Sequence, residues 1–188
     1  MARIAARLSM TTLAFLALAA CSGHSAPPPP VVAAPPPPPP AAAAPAPAPV
    51  SADQQFIDQA ASGGMAEVEA GKLARTQSKN RAVRSFGARM VSDHGRANAH
   101  LMALVKKLKM TANPSPADTS QLASLSGPDF DKAYIPDQVK AHEDTIALFE
   151  AEAKDGENAQ LKRFAQSSLP MLRAHLKQAQ GIAAKMGG

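Results

Sequence analysis

Residues 27–49 consist only of Pro, Ala and Val, and this tract limits how much of the chain can fold. Proline lacks the backbone donor that helices and sheets use, so such a segment cannot build a core. We expect residues 21–50 to form a disordered tether with extended polyproline II geometry, in which about 25 residues reach ~75 Å. The tether serves as a spacer and leaves residues 51–188 as the folding domain. A ligand for proline-binding modules is the alternative interpretation.

The first 20 residues have the features of an export signal. Arg3 and Arg7 precede an apolar run at 8–18, which is shorter than the ~20 residues of a membrane-spanning helix. Its end, Leu18-Ala19-Ala20-Cys21, resembles a bacterial lipobox. The resemblance implies cleavage before Cys21, acylation of that residue and, with Ser22 next, an outer membrane lipoprotein that faces the periplasm. An ordinary secretory signal is the alternative.

Charge and cysteine content exclude two classes of function. The formal charge is +5, and loss of Arg3 and Arg7 with the signal leaves 18 of the 20 basic residues against 15 acidic ones. This weak balance, with few aromatic residues for stacking, argues against nucleic acid as a partner. Cys21 is the single cysteine, so the folding domain has neither a disulfide nor a reactive thiol.

Apolar residues recur at intervals of three and four through residues 51–188, which is typical of helices. The pattern predicts long helices over about 53–77, 80–110, 129–154 and 157–186, with Pro136 and Pro170 kinking the last two. A short helix over about 118–125 lies in the crossover. Two hairpins joined in this way predict an all-α, ferritin-like four-helix bundle. The predicted buried faces are Phe56, Ala60, Gly63, Glu67, Ala70 and Ala74; Val83, Gly87, Met90, His94, Ala97, Leu101, Leu104 and Leu108; Ile135, Val139, His142, Ile146, Phe149 and Ala153; and Leu161, Ala165, Ser168, Leu172, His175, Ala179, Ile182 and Met186.

Three of the five histidines fall on these buried faces. His94, His142 and His175 belong to three different helices, and Glu67 belongs to the fourth. Counted from the hairpin turns, the two residues within each hairpin differ in depth by only about 5 to 6 Å. A Glu and three His that converge inside a bundle form a site suited to iron, copper, zinc or manganese. The alternative is that each histidine only packs in the core and donates to a carbonyl or a carboxylate.

Four further residues are secondary candidates for this site. Asp93 and Glu143 each adjoin one of the histidines, but neighbours on a helix point about 100° apart, so they are better placed to orient a ligand than to bind the ion. Met90 and Met171 each lie one turn before a histidine, and mixed Met and His ligation favours copper. The alternative for the two methionines is flexible core packing.

The sequence contains no recognisable enzyme signature. It lacks a Gly-x-Ser-x-Gly elbow, a phosphate-binding loop, a Cys/His pair and the Glu-x-x-His pairs of di-iron bundles. We predict that the chain is not an enzyme. Metal-dependent oxidase chemistry stays open as an alternative, since it needs only a redox ion with an open coordination position.

The folding domain resembles the bacterial family known as domain of unknown function 4142, whose members are often described as outer membrane proteins. The resemblance implies a ferritin-like fold, an envelope location and recurring Glu, Asp-His, His and His positions, and it implies no activity. One departure is Ile135-Pro136-Asp137-Gln138-Val139, where an unbroken apolar run is expected. The matching segments are Asp53-x-x-Phe56, Glu67-Val68-Glu69-x-Gly71-Lys72-Leu73-Ala74, Phe86-x-x-x-Met90-Val91-x-Asp93-His94, Phe130-Asp131-x-x-Tyr134, His142 with Leu148-Phe149-Glu150, and Leu169-Pro170 with His175-Leu176.

Two functions compete on this basis. The first is an envelope lipoprotein whose bundle binds a metal ion or small ligand through Glu67, His94, His142 and His175, in metal or oxidative stress. The second is a structural or interaction protein of the outer membrane that binds no metal and contacts another envelope protein or the cell wall. In both, the lipid anchor at Cys21 supplies the membrane contact.

Overall fold

The computed structural model describes residues 50–187. The predicted signal peptide, the acylation site at Cys21 and the Pro/Ala tether lie outside these residues. Within them the chain forms four long helices and one short helix, and it contains no strand. The helices are α1 (Ala52–Gln77), α2 (Arg81–Leu108), α3 (Ser120–Ala123), α4 (Gly127–Asp155) and α5 (Ala159–Met186). None of these helices carries an apolar stretch long enough to cross a membrane.

The ends of the long helices follow from local chemistry. Ser51, Asn80 and Asn158 cap α1, α2 and α5, because the side-chain oxygen of each accepts a hydrogen bond from a free backbone N–H of the first turn. Lys109, in the left-handed conformation at φ 56°, ends α2. Asp53 joins two helix ends, because its carboxylate accepts from the backbone N–H of Glu157 and of Asn158 at 2.8 and 2.9 Å.

The helices pair as two hairpins, α1 with α2 and α4 with α5, and the segment that contains α3 crosses between them. α1 also packs on α4, and α2 packs on α5, which closes the four-helix bundle. The predicted all-α, ferritin-like architecture is confirmed.

The core consists of two apolar clusters with a polar layer between them. One cluster includes Phe56, Leu101, Phe149, Phe164 and Leu172, and the other includes Phe86, Met90, Phe130, Tyr134 and Ile182. Along every long helix the polar residues of the layer lie between the segments that build the two clusters. The layer is made of buried Glu67, His94, Gln138, His142 and His175.

Glycines bring α1 and α2 into close contact. A Cβ atom added at Gly71 would lie 2.7 Å from the carbonyl oxygen of Gly87, and one added at Gly87 would lie 2.6 Å from Cβ of Ala74. Both distances are shorter than carbon atoms tolerate, so only glycine allows the two backbones to approach this closely.

The predicted buried faces are confirmed at most positions and shifted at some. Gly64 is buried in place of Gly63, and on α4 the polar residues Gln138 and Glu152 are buried in place of Val139 and Ala153. These shifts arise because α4 turns a polar edge inward near Glu67 and near Asp53. The predicted core residues that are only half-buried are Gly63, Ala97, Leu108, Val139, Ile146, Ala153 and Met186. α4 and α5 continue without a break through Pro136 and Pro170.

Candidate metal centre

Three imidazoles from three helices meet inside the polar layer. His94 of α2, His142 of α4 and His175 of α5 are 5%, 1% and 0% exposed. Their ring centroids are 5.3 to 5.5 Å apart in all three pairs. Each ring has one nitrogen that could bind an ion, and these three atoms lie within 4.8 Å of one another. These three residues are called the histidine cluster below.

Hydrogen bonds fix the ring orientation of two members of the cluster. Nδ1 of His142 lies 2.8 Å from the carbonyl oxygen of Gln138, and Nε2 of His175 lies 2.9 Å from Oδ2 of Asp93. A carbonyl and a carboxylate can only accept, so both of these ring nitrogens carry the proton. The opposite nitrogen of each ring therefore presents a lone pair.

These lone pairs point at no donor in the described part of the chain. His142 Nε2 and His175 Nδ1, together with His94 Nε2, are fully buried and have no hydrogen-bond partner among residues 50–187. A buried polar atom without a partner costs free energy, and native proteins rarely leave several side by side. Three such nitrogens in one cluster are explained by a shared ligand that accepts electron pairs.

Burial keeps the cluster neutral. It lowers the pKa of His94 to about 3, with a further contribution from the neighbouring charges of His142 and His175. Burial also lowers the pKa of His142 to about 4 and lowers the pKa of His175, although the bond to Asp93 opposes the shift in His175. At neutral pH all three rings are thus neutral imidazoles with one N–H each, which is the state that binds metal ions.

Glu67, the fourth predicted ligand, lies beside the cluster but on the far side of His142. Its Oε1 is 3.9 Å from His142 Nδ1, the ring nitrogen that donates to Gln138. The structure does not bring its carboxylate into the group of ligand atoms that lie within 4.8 Å of one another. Burial raises the pKa of Glu67 to about 8, and the neighbouring amide of Gln138 opposes this shift only in part.

The secondary candidates lie in four different environments. Asp93 bonds to His175 and also pairs with Arg89 and Arg96 at 3.3 and 2.5 Å. Glu143 is exposed on α4. Met90 is fully buried in the apolar cluster around Phe86. Met171 is half-buried and lines a cavity of about 30 Å³ that also reaches His94.

Gln138 is the residue of this layer that sequence reasoning missed. Its backbone carbonyl orients His142, and its side chain is 1% exposed beside Glu67. The signal was its position four residues before His142, one helical turn away, where a carbonyl can accept from an imidazole.

Comparisons with known proteins support the fold. Residues 37–182 match the model of a family described as Domain of unknown function (DUF4142). No curated protein matches the chain. A solved structure of CopM in the Cu(I)-bound form is 14% identical, with a TM-score of 0.64, and the match covers 72% of this chain and 98% of that one.

Two further solved structures are similar. CopM in an Ag-bound form obtained by soaking is 17% identical, with a TM-score of 0.60, and the match covers 72% of this chain and 97% of CopM. A DUF305 protein from Streptomyces coelicolor is 14% identical, with a TM-score of 0.64 and coverage of 73% and 95%. None of these three is described as an enzyme, and at these identities the similarity concerns the fold alone.

Proposed function

This chain belongs to DUF4142, a family of unknown function, and we propose from the geometry of its histidine cluster that its bundle binds a transition metal ion, with Cu(I) as the preferred ion. Two observations carry the proposal: each of the three rings has one ligand nitrogen within 4.8 Å of the others, and each has a buried nitrogen without a hydrogen-bond partner among residues 50–187. His94, His142 and His175 are the proposed ligands. Asp93 and Gln138 hold two of the rings in place.

The donor set favours copper or zinc over iron. It offers three neutral imidazole nitrogens, whereas non-haem iron sites combine two histidines with a carboxylate. Glu67 does not supply that carboxylate, because it lies at the protonated side of His142. The possible ions are therefore those that imidazole alone binds well.

The charge around the cluster favours a monovalent ion. Among residues 50–187, Asp93 is the one acidic residue within hydrogen-bond distance of a histidine of the cluster, and two arginines already neutralise it. A dication would bring more uncompensated charge into a buried site than Cu(I) does. The similar CopM structures are named as Cu(I)-, Cu(II)- and Ag-bound forms, which supports copper as the metal.

Enclosure favours binding over catalysis. The three ligands are at most 5% exposed, and the cavity beside His94 holds about 30 Å³, which is room for about one water molecule. A catalytic metal needs an open position that a substrate can reach. We therefore propose a metal-binding module, carried as a lipoprotein of the cell envelope through Cys21.

The test is the metal content of the full-length protein after equilibration with Cu(I) or Zn(II) and removal of the excess. We expect about one copper per chain, and no copper in His94→Ala/His175→Ala. His100→Ala is the matched control, because His100 is exposed on α2 outside the cluster. The helical circular dichroism signal checks that each variant is folded.

Three outcomes separate the candidate functions. Stoichiometric copper that the double variant loses and the control keeps supports the proposal. Stoichiometric zinc without copper keeps the site but overturns the choice of ion. Absence of metal from the folded wild-type chain overturns the metal-binding function and leaves the structural or interaction role.

A further inference from the structure

Charge is divided unequally between the two halves of the bundle. α2 and α5 together contain eleven Lys and Arg and one acidic residue, Asp93. α1 and α4 together contain five Lys and Arg and twelve Asp and Glu. Because α2 packs on α5 and α1 packs on α4, the bundle has a basic side and an acidic side. The net charge of the whole chain, +5, conceals this division.

The basic side presents its cations along its whole length. Arg81 and Arg89 lie in the first third of α2, and Arg96 and Lys107 follow towards its end, all with exposed side chains. The helix has 28 residues, about 42 Å at 1.5 Å per residue. Exposed residues of α5, among them Arg163 and Lys185, lie alongside it. We call this surface the α2–α5 face.

Two grooves run between the helices of this face, and cations line both. The first has a volume of about 440 Å³ and is lined by His100, Lys107 and Arg163 above an apolar floor of Leu104 and Phe164. The second has a volume of about 670 Å³ and is lined by Arg81 and Lys185. Arg89 lies between the two grooves and bonds to Gln178 across the face at 2.9 Å.

The cations that line the grooves are not neutralised within the described part of the chain. Residues 50–187 provide no ion-pair partner within 4.0 Å for Arg81, Lys107, Arg163 or Lys185. Outside the grooves, Lys72 of α1 and Lys140 of α4 have such partners, and so do Arg89, Arg96 and Arg173 of α2 and α5. The groove cations are therefore available to an external anion.

We propose that the α2–α5 face docks on a membrane surface rich in anionic phospholipid, with headgroup phosphates in the two grooves. Each Lys or Arg near an anionic bilayer adds to the attraction between protein and membrane. Because the headgroups are mobile, a wide basic face needs no fixed pattern of partners. The acidic side, α1 and α4, then faces away from the membrane, where repulsion by the headgroups is least.

The composition of the face favours lipid over an acidic protein. Protein interfaces rely on a central group of apolar or aromatic anchors, with few charged residues at the centre. Met102, 38% exposed, is the one strongly exposed large apolar side chain of α2 and α5. A long row of cations without such anchors matches a fluid array of headgroups better.

The face also makes a second copy of the chain a poor occupant. The basic side of one copy would meet the acidic side of the next, which is a contact between different surfaces. Contacts of this kind close into rings only at particular angles and otherwise continue as open filaments. A membrane has no such geometric requirement.

The experiment measures binding of the full chain to vesicles. One set contains phosphatidylcholine alone, and the other contains an equimolar mixture of phosphatidylglycerol and phosphatidylcholine. The test variant is Lys107→Gln/Arg163→Gln, which removes two groove cations. Lys72→Gln/Lys140→Gln is the matched control, because it removes the same charge from exposed positions on α1 and α4. Both variants keep the same N-terminal segment, so any contribution of that segment cancels in the comparison.

We expect wild type and control to bind the anionic vesicles more tightly than the neutral ones, and added salt to abolish the difference. The test variant should bind the anionic vesicles about 30-fold more weakly than wild type. Equal binding of the two variants would overturn the proposal, since it would show that only net charge matters. No preference for anionic vesicles would also overturn it and would leave an acidic protein as the partner. Concentration-dependent assembly at low salt without vesicles, lost in the test variant, would assign the face to a second copy instead.

Discussion

The side chain of Asp93, on α2, accepts a hydrogen bond from Nε2 of His175, on α5, at 2.9 Å. One residue of the first hairpin thus sets the orientation of a proposed ligand from the second. Carboxylate partners of this kind fix the tautomer of a ligating imidazole and increase its basicity. Asp93 and His94 are neighbours in the sequence and both act at the histidine cluster: His94 is one of its three rings, and Asp93 bonds to another, His175.

Asp93→Ala is expected to weaken copper binding about 10- to 100-fold, because His175 loses the acceptor that holds its ring. The measurement is competition for Cu(I) against a chromogenic chelator. Asp144→Ala is the control, since Asp144 is an exposed acid on α4 that pairs only with Lys140 among the described residues. Equal affinities of the two variants would show that Asp93 has no role at the site.

His94→Leu is expected to stabilise the metal-free chain by about 1–3 kcal/mol, because a buried nitrogen without a partner is replaced by an apolar side chain of similar size. The same change should abolish copper binding. Urea denaturation of the metal-free proteins measures the first effect. His100→Leu, at an exposed position, is the control. If histidine at position 94 served packing alone, its replacement would destabilise the fold.

Gly87→Ala is expected to destabilise the bundle by about 1–3 kcal/mol, since the added methyl group would collide with Ala74 and with the carbonyl oxygen of Gly71. Gly63→Ala is the matched control in a neighbouring helix, where an added Cβ meets nothing within 4 Å. That change should stabilise the chain by about 0.5–1 kcal/mol through the higher helix propensity of alanine. Thermal unfolding of both variants gives the comparison, and similar shifts in Tm would contradict the close contact between α1 and α2.

Glu152→Gln is expected to make the stability of the chain less dependent on pH. Burial raises the pKa of Glu152 from 4.5 to about 7, and the nearby charge of Asp53 adds to this shift. A carboxyl group whose pKa is higher in the folded state contributes its full stability below pH 4.5 and loses it as the pH rises through about 7.

The glutamine variant lacks this loss, so it should be the more stable protein above pH 7 and lose its advantage near pH 4.5. Urea midpoints measured across this range test the sign. Glu143→Gln is the control, because it removes the same charge from an exposed position on the same helix. An advantage that is constant with pH would argue against the raised pKa of Glu152.

The fold could be predicted from the sequence because the spacing of apolar residues and the residues that end helices indicate the same helix boundaries. Helical spacing of apolar residues, capping residues such as Asn80 and Asn158, and the Pro-rich crossover all predict the same four helices. The exact buried face of α4 could not be predicted, because the sequence alone assigns the apolar Val139 to the core and the polar Gln138 to solvent. Tertiary contacts reverse the two, since Gln138 lies beside the buried carboxyl group of Glu67.

The site was accessible only in part. Three histidines on buried faces at matching depth predicted a cluster, and the structure brings these three rings together. The position of Glu67 depended on the rotation of α1 about its axis, which decides whether the carboxylate faces the ligand atoms or the Nδ1 side of His142. Periodicity does not resolve such a rotation, and neither does it reveal that a backbone carbonyl orients a ring.

The histidine cluster draws one residue from the first hairpin and two from the second, so neither hairpin alone contains a complete site. Separation of the hairpins takes the three rings apart, so under the proposed function the free energy of copper binding opposes that separation. At a copper concentration a thousand times the Kd, the assembled bundle gains about 4 kcal/mol over the opened chain. Since proteases cut opened chains, the proposed function predicts that copper lengthens the lifetime of this protein.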